Sequence, residues 1–323
     1  MSESDDSRHP AYAAEMPSDS SPSAESDDSR HPAYAAEMPS DSLRVGPDAD
    51  LSAIDTSGTP GLPDRKSVRK DPKMWARAEL AELGERLAIQ QEMLFANAKT
   101  NPEDPRRVLL VLQAMDCGGK DGTVKRVAGA MNPEGLRIVA FGPPTSEELE
   151  HDFLWRIRNA LPKPGFVGVF NRSHYEDVLV VRVRKLVSAK VWRPRYQMIN
   201  EFEEELVASG ITLVKVMLHI SFEEQRRRLL ARLDDPTKHW KYNPEDVDTR
   251  AFWPAYQEAY HDVLARCSPD HAPWYVVPAD RKWYRDWAVA HLLLEAFMKL
   301  DLHYPAAAFD VARERARLER TTT

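Results

Sequence analysis

A strand-like run that leads into a glycine-rich turn constrains the fold of this chain more than any other feature. Residues 108–112 (VLLVL) are continuously apolar and of strand length, and they lead through Gln113 and Ala114 into the segment MDCGGKDGT. Over residues 124–131 the apolar positions recur at helical spacing. A strand that is apolar on both faces is typical of a parallel sheet covered by helices on both sides. The sequence therefore predicts an α/β fold organised around this strand, turn and helix.

The glycine-rich turn has the composition of a phosphate-binding loop. Glycines let backbone N–H groups approach oxyanions, the helix N-terminus adds partial positive charge, and Lys120 supplies a mobile cation. The match to G-x-x-x-x-G-K-[ST] is incomplete, because Ala114 stands at the first glycine and Asp121 follows the lysine. The segment GGKDG alone would also make a good exposed turn, but the flanking strand and helix favour the phosphate loop. Its other expected phosphate contacts are Gly118, Gly119, Gly122 and Thr123.

Asp116 is the unusual member of this loop. A carboxylate beside bound phosphates is repelled unless a cation lies between them. We therefore interpret Asp116 as a carboxylate that binds Mg²⁺ or orients the attacking group.

Charge is divided unevenly along the chain. Residues 1–64 carry 14 acidic and 3 basic side chains, whereas residues 65–323 carry 37 acidic and 41 basic ones. Residues 3–20 recur identically at 25–42, and this repeat is rich in Ser, Asp and Pro. Such a composition cannot bury a core, so we predict a disordered acidic tail over 1–64, with order beginning near Lys66. An acidic tail that mimics a phosphate ligand is the functional alternative. Residues 306–323 are expected to form a C-terminal tail.

The cysteines and the hydropathy pattern exclude several classes of protein. Cys117 and Cys267 form no CxxC pair, which argues against a disulfide framework or a zinc site. No apolar stretch reaches membrane-span length, and the acidic N-terminus lacks the basic start of a secretory signal. We expect a cytoplasmic protein that acts on neither a membrane nor nucleic acid.

Strands and helices alternate along the rest of the chain. Predicted strands cover residues 108–112, 136–141, 166–170, 211–220 and 274–277. Predicted helices cover residues 74–99, 124–131, 146–161, 173–187, 194–209, 222–233 and 282–299. This alternation predicts a parallel five-stranded sheet with helices on both faces, in which ligands bind at the carboxyl ends of the strands. The glycine loop and residues 171–177 (NRSHYED) both fall at such ends.

A basic segment over about residues 226–245 is predicted to be a lid. Arginines at 226, 227, 228 and 232 lead into DDPTKHWKY, where Pro236 ends the preceding helix. A lid of this kind neutralises phosphoryl charge and excludes water. The alternative is a solvated helix face with Trp240 as a core anchor.

Four segments together resemble the second polyphosphate kinase family: AMDCGGKDGT, FNRSHYEDVLVVRV, RLLARLDDPTKHWKYNPED and WYVVPADRKWYRDW. The resemblance covers about residues 66–305. It implies a P-loop kinase core that transfers phosphoryl groups between inorganic polyphosphate and nucleotides, with Mg²⁺ or Mn²⁺ as cofactor and a homodimer or homotetramer as the assembly. It also implies catalytic roles for Asp116, Lys120, Arg172 and Glu176, phosphate binding by Arg232, Lys238 and Lys241, nucleotide binding by Asn171, His174, Tyr175 and Asp177, and metal binding by Asp116 and Glu176.

Asn171 departs from the pattern of many family members, which have an aspartate there that helps to bind magnesium. An amide is a poorer Mg²⁺ ligand, and Glu176 or Asp177 lies where it would restore the lost charge. The segment NRSHYED resembles the subgroup that phosphorylates both nucleoside mono- and diphosphates, such as AMP and ADP or GMP and GDP.

The chemistry expected from these residues is direct in-line phosphoryl transfer. No Ser-His-Asp or Cys-His pattern is visible, and such transfer needs positioning, metal ions and cations rather than a covalent intermediate. Two alternatives stay open. An ATP-dependent nucleoside monophosphate kinase has the same core and a basic lid, and a non-enzymatic polyanion- or nucleic-acid-binding module would also be basic, although it leaves Asp116 unexplained.

Overall fold

A single parallel sheet forms the centre of the structure. The computed structural model describes residues 39–321. Within this range five parallel strands are arranged in the order β2-β3-β1-β4-β5. They are β1 (Arg107–Ala114), β2 (Leu136–Ala140), β3 (Val167–Asn171), β4 (Ile211–His219) and β5 (Trp274–Pro278). The predicted α/β fold is confirmed, and each predicted strand is present with its ends within two residues of the prediction.

Helices cover both faces of this sheet. The α-helices are α1 (Pro39–Leu43), α2 (Lys66–Lys70), α3 (Pro72–Thr100), α4 (Lys120–Val127), α5 (Ser146–Leu149), α6 (Trp155–Ala160), α7 (Val180–Val183), α8 (Ala189–Trp192), α9 (Arg195–Ala208), α10 (Phe222–Leu233), α11 (Glu245–Arg250), α12 (Trp253–Arg266), α13 (Lys282–Met298) and α14 (Val311–Glu319). Short 3₁₀ helices lie at Leu51–Ala53, Ala128–Ala130, Pro133–Gly135, His174–Asp177 and Pro236–Lys241. None of the helices in the described range is both long and apolar enough to span a membrane.

Strand β1 separates two hydrophobic cores because its successive side chains point to opposite faces. Leu110 and Leu112 belong to the core that α3 and α13 cover, whereas Leu109 and Val111 belong to the core that includes α9 and α12. All four side chains are fully buried. The continuous apolar run at 108–112 is therefore the signature of a strand that is covered on both sides.

Two predicted helices are interrupted in the structure. The sequence predicts one helix over 146–161, but α5 and α6 are separated by a turn in which Asp152 accepts a hydrogen bond from the Leu154 N–H at 2.9 Å. Over 173–187 the structure has the 3₁₀ turn His174–Asp177 followed by the short α7. Ser173 caps that turn by accepting a hydrogen bond from the Tyr175 N–H at 3.2 Å. Local side-chain hydrogen bonds to the backbone thus accompany the break in the helical pattern at both places.

Residues 39–64 are part of the folded core, which corrects the prediction that order begins near Lys66. Leu43 and Leu51 are buried, and Arg44 forms an antiparallel bridge with Tyr275 on the edge strand β5. Covering an edge strand satisfies backbone groups that would otherwise be open to other chains. The prediction was wrong because the average composition of residues 1–64 is acidic, although a few apolar residues within this stretch are buried. Residues 1–38, which hold the first copy of the repeat and most of the second, lie outside the described residues.

Candidate active site

The glycine loop connects β1 to α4 with a backbone that requires glycine at two positions. Gly119 has φ 108°, and a Cβ atom there would lie 1.8 Å from Nη1 of Arg285. A Cβ atom on Gly118 would lie 2.5 Å from the Ala114 Cβ. The Lys120 side chain folds back and its Nζ donates to the Ala114 carbonyl at 2.9 Å. Burial lowers the pKa of Lys120, so its charge depends on the anionic groups around it.

A cavity of about 630 Å³ opens in front of this loop. Its walls come from the loop, the end of β3, helix α10, the predicted lid and the start of α13. Most of its charged lining is cationic: Lys120, Arg172, Arg227, Arg228, Arg232, Lys238, Lys241, Lys282 and Arg285. A cavity with this lining, beside a helix N-terminus, suits an extended chain of phosphates. We call it the cationic cavity.

Asp116 and Arg172 form an ion pair at the edge of the cationic cavity. The Nη2 atom of Arg172 donates to Asp116 Oδ1 at 3.0 Å. Arg172 itself has φ 67°, and its N–H is fixed by the Leu112 carbonyl at 3.0 Å. Glu176, and after it Asp116, raises the pKa of Arg172 against the opposing effect of burial. The Arg172 guanidinium therefore stays protonated.

A second cavity, of about 700 Å³, adjoins the first. The two share Asp116, Phe141, Arg172, Asn243 and Asp246 as lining residues. The second cavity also has an apolar and aromatic wall, formed by Met115, Leu179, Val180, Tyr256 and Tyr260. Burial raises the pKa of both tyrosines, so their hydroxyls are neutral. We call it the aromatic cavity.

Two of the five carboxylates that line the aromatic cavity suit a divalent cation. Asp116 and Glu176 both line it, and Glu176 Oε1 accepts a hydrogen bond from Gln113 Nε2 at 3.1 Å. Within residues 39–321 no group of three or more His, Cys, Asp or Glu side chains is placed to hold a metal alone. Mg²⁺ commonly takes one or two protein carboxylates and completes its shell with substrate phosphates and water. The donor set fits an ion of that kind.

Asp121, at the position where the phosphate-loop pattern has a hydroxyl, connects three elements. Its Oδ1 accepts a hydrogen bond from Asn171 Nδ2 at 2.9 Å, and its Oδ2 lies 3.6 Å from Lys241 Nζ. Burial opposes ionisation, but the Asn171 hydrogen bond and the Lys241 charge lower the pKa of Asp121. The loop, the end of β3 and the lid are thus held together by one carboxylate.

The basic segment after α10 lies over the cationic cavity as a lid would. Lys238 and Lys241, three residues apart in the 3₁₀ helix Pro236–Lys241, both line the cavity. Arg232 Nη1 holds this helix by donating to the Lys241 carbonyl at 2.8 Å. Trp240 is 78% exposed, so it is not a core anchor.

Comparison with known proteins assigns the family. The family model described as polyphosphate kinase 2 (PPK2) matches residues 77–304. The chain belongs to the polyphosphate kinase 2 family. It is 48% identical over 264 residues to a Meiothermus ruber protein named AMP/ADP-polyphosphate phosphotransferase, covering 81% of this chain and 94% of that protein. It is 41% identical to a Rhodopseudomonas palustris protein named ADP-polyphosphate phosphotransferase, covering 68% of this chain and 78% of the relative.

A solved structure supports the same assignment. The crystal structure of polyphosphate kinase 2 from Arthrobacter aurescens TC1 matches with a TM-score of 0.84 and 48% identity, covering 88% of this chain and 98% of that one. The members of this family are phosphotransferases, so the chain is a kinase. A purely non-enzymatic polyanion-binding module does not fit this membership.

Several residues that the sequence assigns to the site of this PPK2 enzyme lie elsewhere. His174 and Tyr175 are fully buried and both contact Glu203, so the structure corrects their expected role in nucleotide binding. Asp177 pairs with Arg195 at 2.9 Å and lies outside both cavities. Thr123 is also fully buried and does not line the cationic cavity. The tight turn after β3 directs Glu176 outward and its two predecessors into the core.

The candidate site also contains residues that the sequence did not predict. Lys282 and Arg285 line the cationic cavity, and Tyr256 and Tyr260 line the aromatic one. Arg228 supports the loop by donating to the Cys117 carbonyl at 2.8 Å. Lys282 follows the last strand. Because ligands bind at the carboxyl ends of parallel strands, its place in the site could have been predicted from the sequence. Nothing local marks the tyrosines, which reach the site from α12 through tertiary packing.

Proposed function

We propose that this kinase transfers a phosphoryl group from inorganic polyphosphate to AMP and to ADP, with Asp116 and Arg172 at the reaction centre. Family membership supports polyphosphate-dependent phosphorylation of nucleotides. The breadth of acceptor is supported by the 48% identity to the relative whose name gives both AMP and ADP. The alternative of a kinase that uses ATP as its sole donor has no support among these relatives.

The observation that carries the proposal is that two cavities of different chemistry meet at the Asp116–Arg172 pair. The cationic cavity suits the polyphosphate donor, because many fixed cations can follow a chain of negative charges. The aromatic cavity suits the acceptor, because tyrosine rings and aliphatic side chains cover a nucleoside while leaving its phosphates at the shared edge. Donor and acceptor phosphates would then meet where the cavities join.

The reaction requires little covalent chemistry from the protein. An oxygen of the acceptor's terminal phosphate forms a bond to the terminal phosphorus of polyphosphate, and the bond from that phosphorus to the bridging oxygen breaks. The attacking oxygen is already ionised, so no general base is needed. Lys120, Arg172 and Arg232 hold the phosphate oxygens and stabilise the charge that shifts during transfer. The lid excludes water that would otherwise accept the phosphoryl group.

Family phosphotransferases generally need a divalent metal, and we propose Mg²⁺, with Mn²⁺ as a substitute. Asp116 and Glu176 would hold it together with substrate phosphates, where it neutralises charge on the transferred group. We also propose that the enzyme works in the cytoplasm, since its two cysteines, Cys117 and Cys267, are free thiols. Assembly as a homodimer or homotetramer stays a prediction.

The test is ATP formation from Mg²⁺ and long-chain polyphosphate, with AMP in one reaction and ADP in the other. We expect product from both, and we expect Asp116→Asn to lower kcat by about 10²–10³-fold without loss of folding, which corresponds to about 3–4 kcal/mol of barrier. Asp270→Asn is the matched control, because Asp270 is an exposed carboxylate paired with Arg44. Product from ADP alone would limit the acceptor range, and activity only with ATP as donor would refute the proposal.

A further inference from the structure

A buried arginine beside the glycine loop has no part in the function described so far. Arg285 lies on α13 and is 1% exposed, yet its side chain lines the cationic cavity. Its guanidinium lies against the backbone of the loop. A Cβ atom on Gly119 would be 1.8 Å from Nη1, and one on Gly122 would be 3.0 Å from Nη2. The charge is therefore placed directly against the backbone turn that lines the cavity.

The neighbouring residue fixes the orientation of this guanidinium. Asp286 Oδ1 accepts hydrogen bonds from Nε of Arg285 at 2.9 Å and from Nη2 at 2.6 Å. Among the residues that the structure describes, none accepts a hydrogen bond from Nη1, which is the nitrogen nearest Gly119. Nε and Nη2 thus hold the guanidinium in place, and Nη1 is available to donate to another acceptor. Lysine offers no such fork, because its ammonium is a single point charge.

The surroundings of Arg285 favour an anionic acceptor. Lys282, one turn earlier on α13, lines the same cavity, so both cations lie on one face of the helix. The loop N–H groups and the start of α4 lie beside them. Burial lowers the pKa of Arg285, but a guanidinium keeps its proton in proteins. A desolvated guanidinium binds a phosphate oxygen more strongly than one that is exposed to water.

We propose that Arg285 binds the polyphosphate donor, with Nη1 donating to a phosphate oxygen held by the glycine loop, and that Asp286 is its positioning residue. This inference rests on the proposed function and adds a donor-site contact to it. It also gives a second reason for glycine at position 119, since any side chain there would displace the guanidinium from the loop.

The test compares Arg285→Met and Arg285→Lys with the matched control Arg126→Met. Arg126 also pairs with Asp286, at 3.3 Å, but its side chain is half exposed and does not line the cavity. Steady-state kinetics would give KM for polyphosphate and KM for ADP separately. Melting temperatures with and without inorganic tripolyphosphate would report binding apart from turnover.

We expect Arg285→Met to raise KM for polyphosphate by about 10- to 100-fold, the range expected when one charge-assisted hydrogen bond is lost. KM for ADP should change less than about twofold, and the stabilisation by tripolyphosphate should disappear. The KM of Arg285→Lys for polyphosphate should lie between the values of Arg285→Met and the wild type. Asp286→Asn should weaken polyphosphate binding while leaving KM for ADP unchanged. Arg126→Met should behave as the wild type.

The inference would be overturned if tripolyphosphate raised the melting temperature of a folded Arg285→Met protein by as much as it raises that of the wild type. If that variant melts early because Asp286 keeps only the half-exposed Arg126 as a partner, the double variant Arg285→Met/Asp286→Leu removes both charges and decides the question by the same measurement. The two proposals also fail separately. A wild type that makes no ATP from polyphosphate refutes the proposed function, whereas tripolyphosphate binding still tests Arg285.

Discussion

Replacing Lys215 with methionine tests how a buried charged network supports the active site. The Lys215 ammonium on β4 donates to Glu203 Oε2 at 2.5 Å, to the Tyr175 hydroxyl at 3.0 Å and to the Cys267 carbonyl at 2.7 Å. Lys215 and Glu203 are both 0% exposed. Through Tyr175 and His174, this network anchors the turn that carries Glu176.

The expected loss of stability is large because the change leaves an unbalanced charge in the core. Methionine keeps most of the length of lysine but removes the ammonium, so Glu203 retains only neutral donors and one histidine. Breaking a buried ion pair in this way costs about 3–5 kcal/mol. For a folded unit of this size, that corresponds to a fall in Tm of roughly 6–20 °C. The double variant Lys215→Met/Glu203→Leu should recover most of the lost stability, since neither charge of the pair is then buried.

The same pair predicts how stability depends on pH. Burial would raise the pKa of Glu203, but Lys215 and His174 outweigh it and hold the pKa below its ordinary value of 4.5. A carboxyl whose pKa is lower in the folded state stabilises the protein above the unfolded pKa. That contribution is lost as the pH falls below about 4.5 towards the folded value. The wild type should therefore lose more stability than the double variant between about pH 5 and pH 3.

Urea denaturation followed by circular dichroism measures these changes. Lys163→Met, at an exposed position, is the control and should alter the free energy of unfolding by less than about 0.5 kcal/mol. A Lys215→Met protein within about 1 kcal/mol of the wild type would refute the reasoning. So would a double variant that is less stable than the single one, because the cost would then arise from packing rather than from unpaired charge.

Two further predictions concern the N-terminal segment and the loop thiol. Leu43→Ala should lower the free energy of unfolding by about 2–5 kcal/mol, as for a core leucine, whereas Leu318→Ala on the exposed α14 should have no measurable effect in the same denaturation experiment. An unchanged Leu43→Ala protein would show that Leu43 does not contribute to the stability of the core. Burial raises the pKa of the Cys117 thiol from 9.0 to about 11, so at pH 8 its thiolate fraction is about 100-fold smaller. Alkylation by iodoacetamide, followed by mass spectrometry, should therefore be about 100-fold slower than for a solvent-exposed thiol with the ordinary pKa. Equal rates would contradict the raised pKa of this partly buried thiol.

The parts of the fold that are specified locally were predictable from the sequence. The apolar run at 108–112 and the glycines after it determine a buried strand and a phosphate loop within one short segment, and both are present. Residues 39–64 were missed because composition was averaged over an acidic stretch, while Leu43 and Leu51 contribute to the fold individually. His174 and Tyr175 were misplaced because periodicity shows which face a residue takes only inside a regular element, and Ser173 begins a 3₁₀ turn instead.

The departures of the loop from the usual phosphate-loop pattern show why the site needed a structure as well as a sequence. Asp116 and Asp121 both put negative charge where phosphates are expected, which opposes anion binding when the loop is considered alone. In the structure each carboxylate has a cation from a distant part of the chain: Arg172 lies 3.0 Å from Asp116, and Lys241 lies 3.6 Å from Asp121. These pairs join the loop to the end of β3 and to the lid. The sequence shows the unusual carboxylates, but their effect depends on partners that only the tertiary fold brings to them.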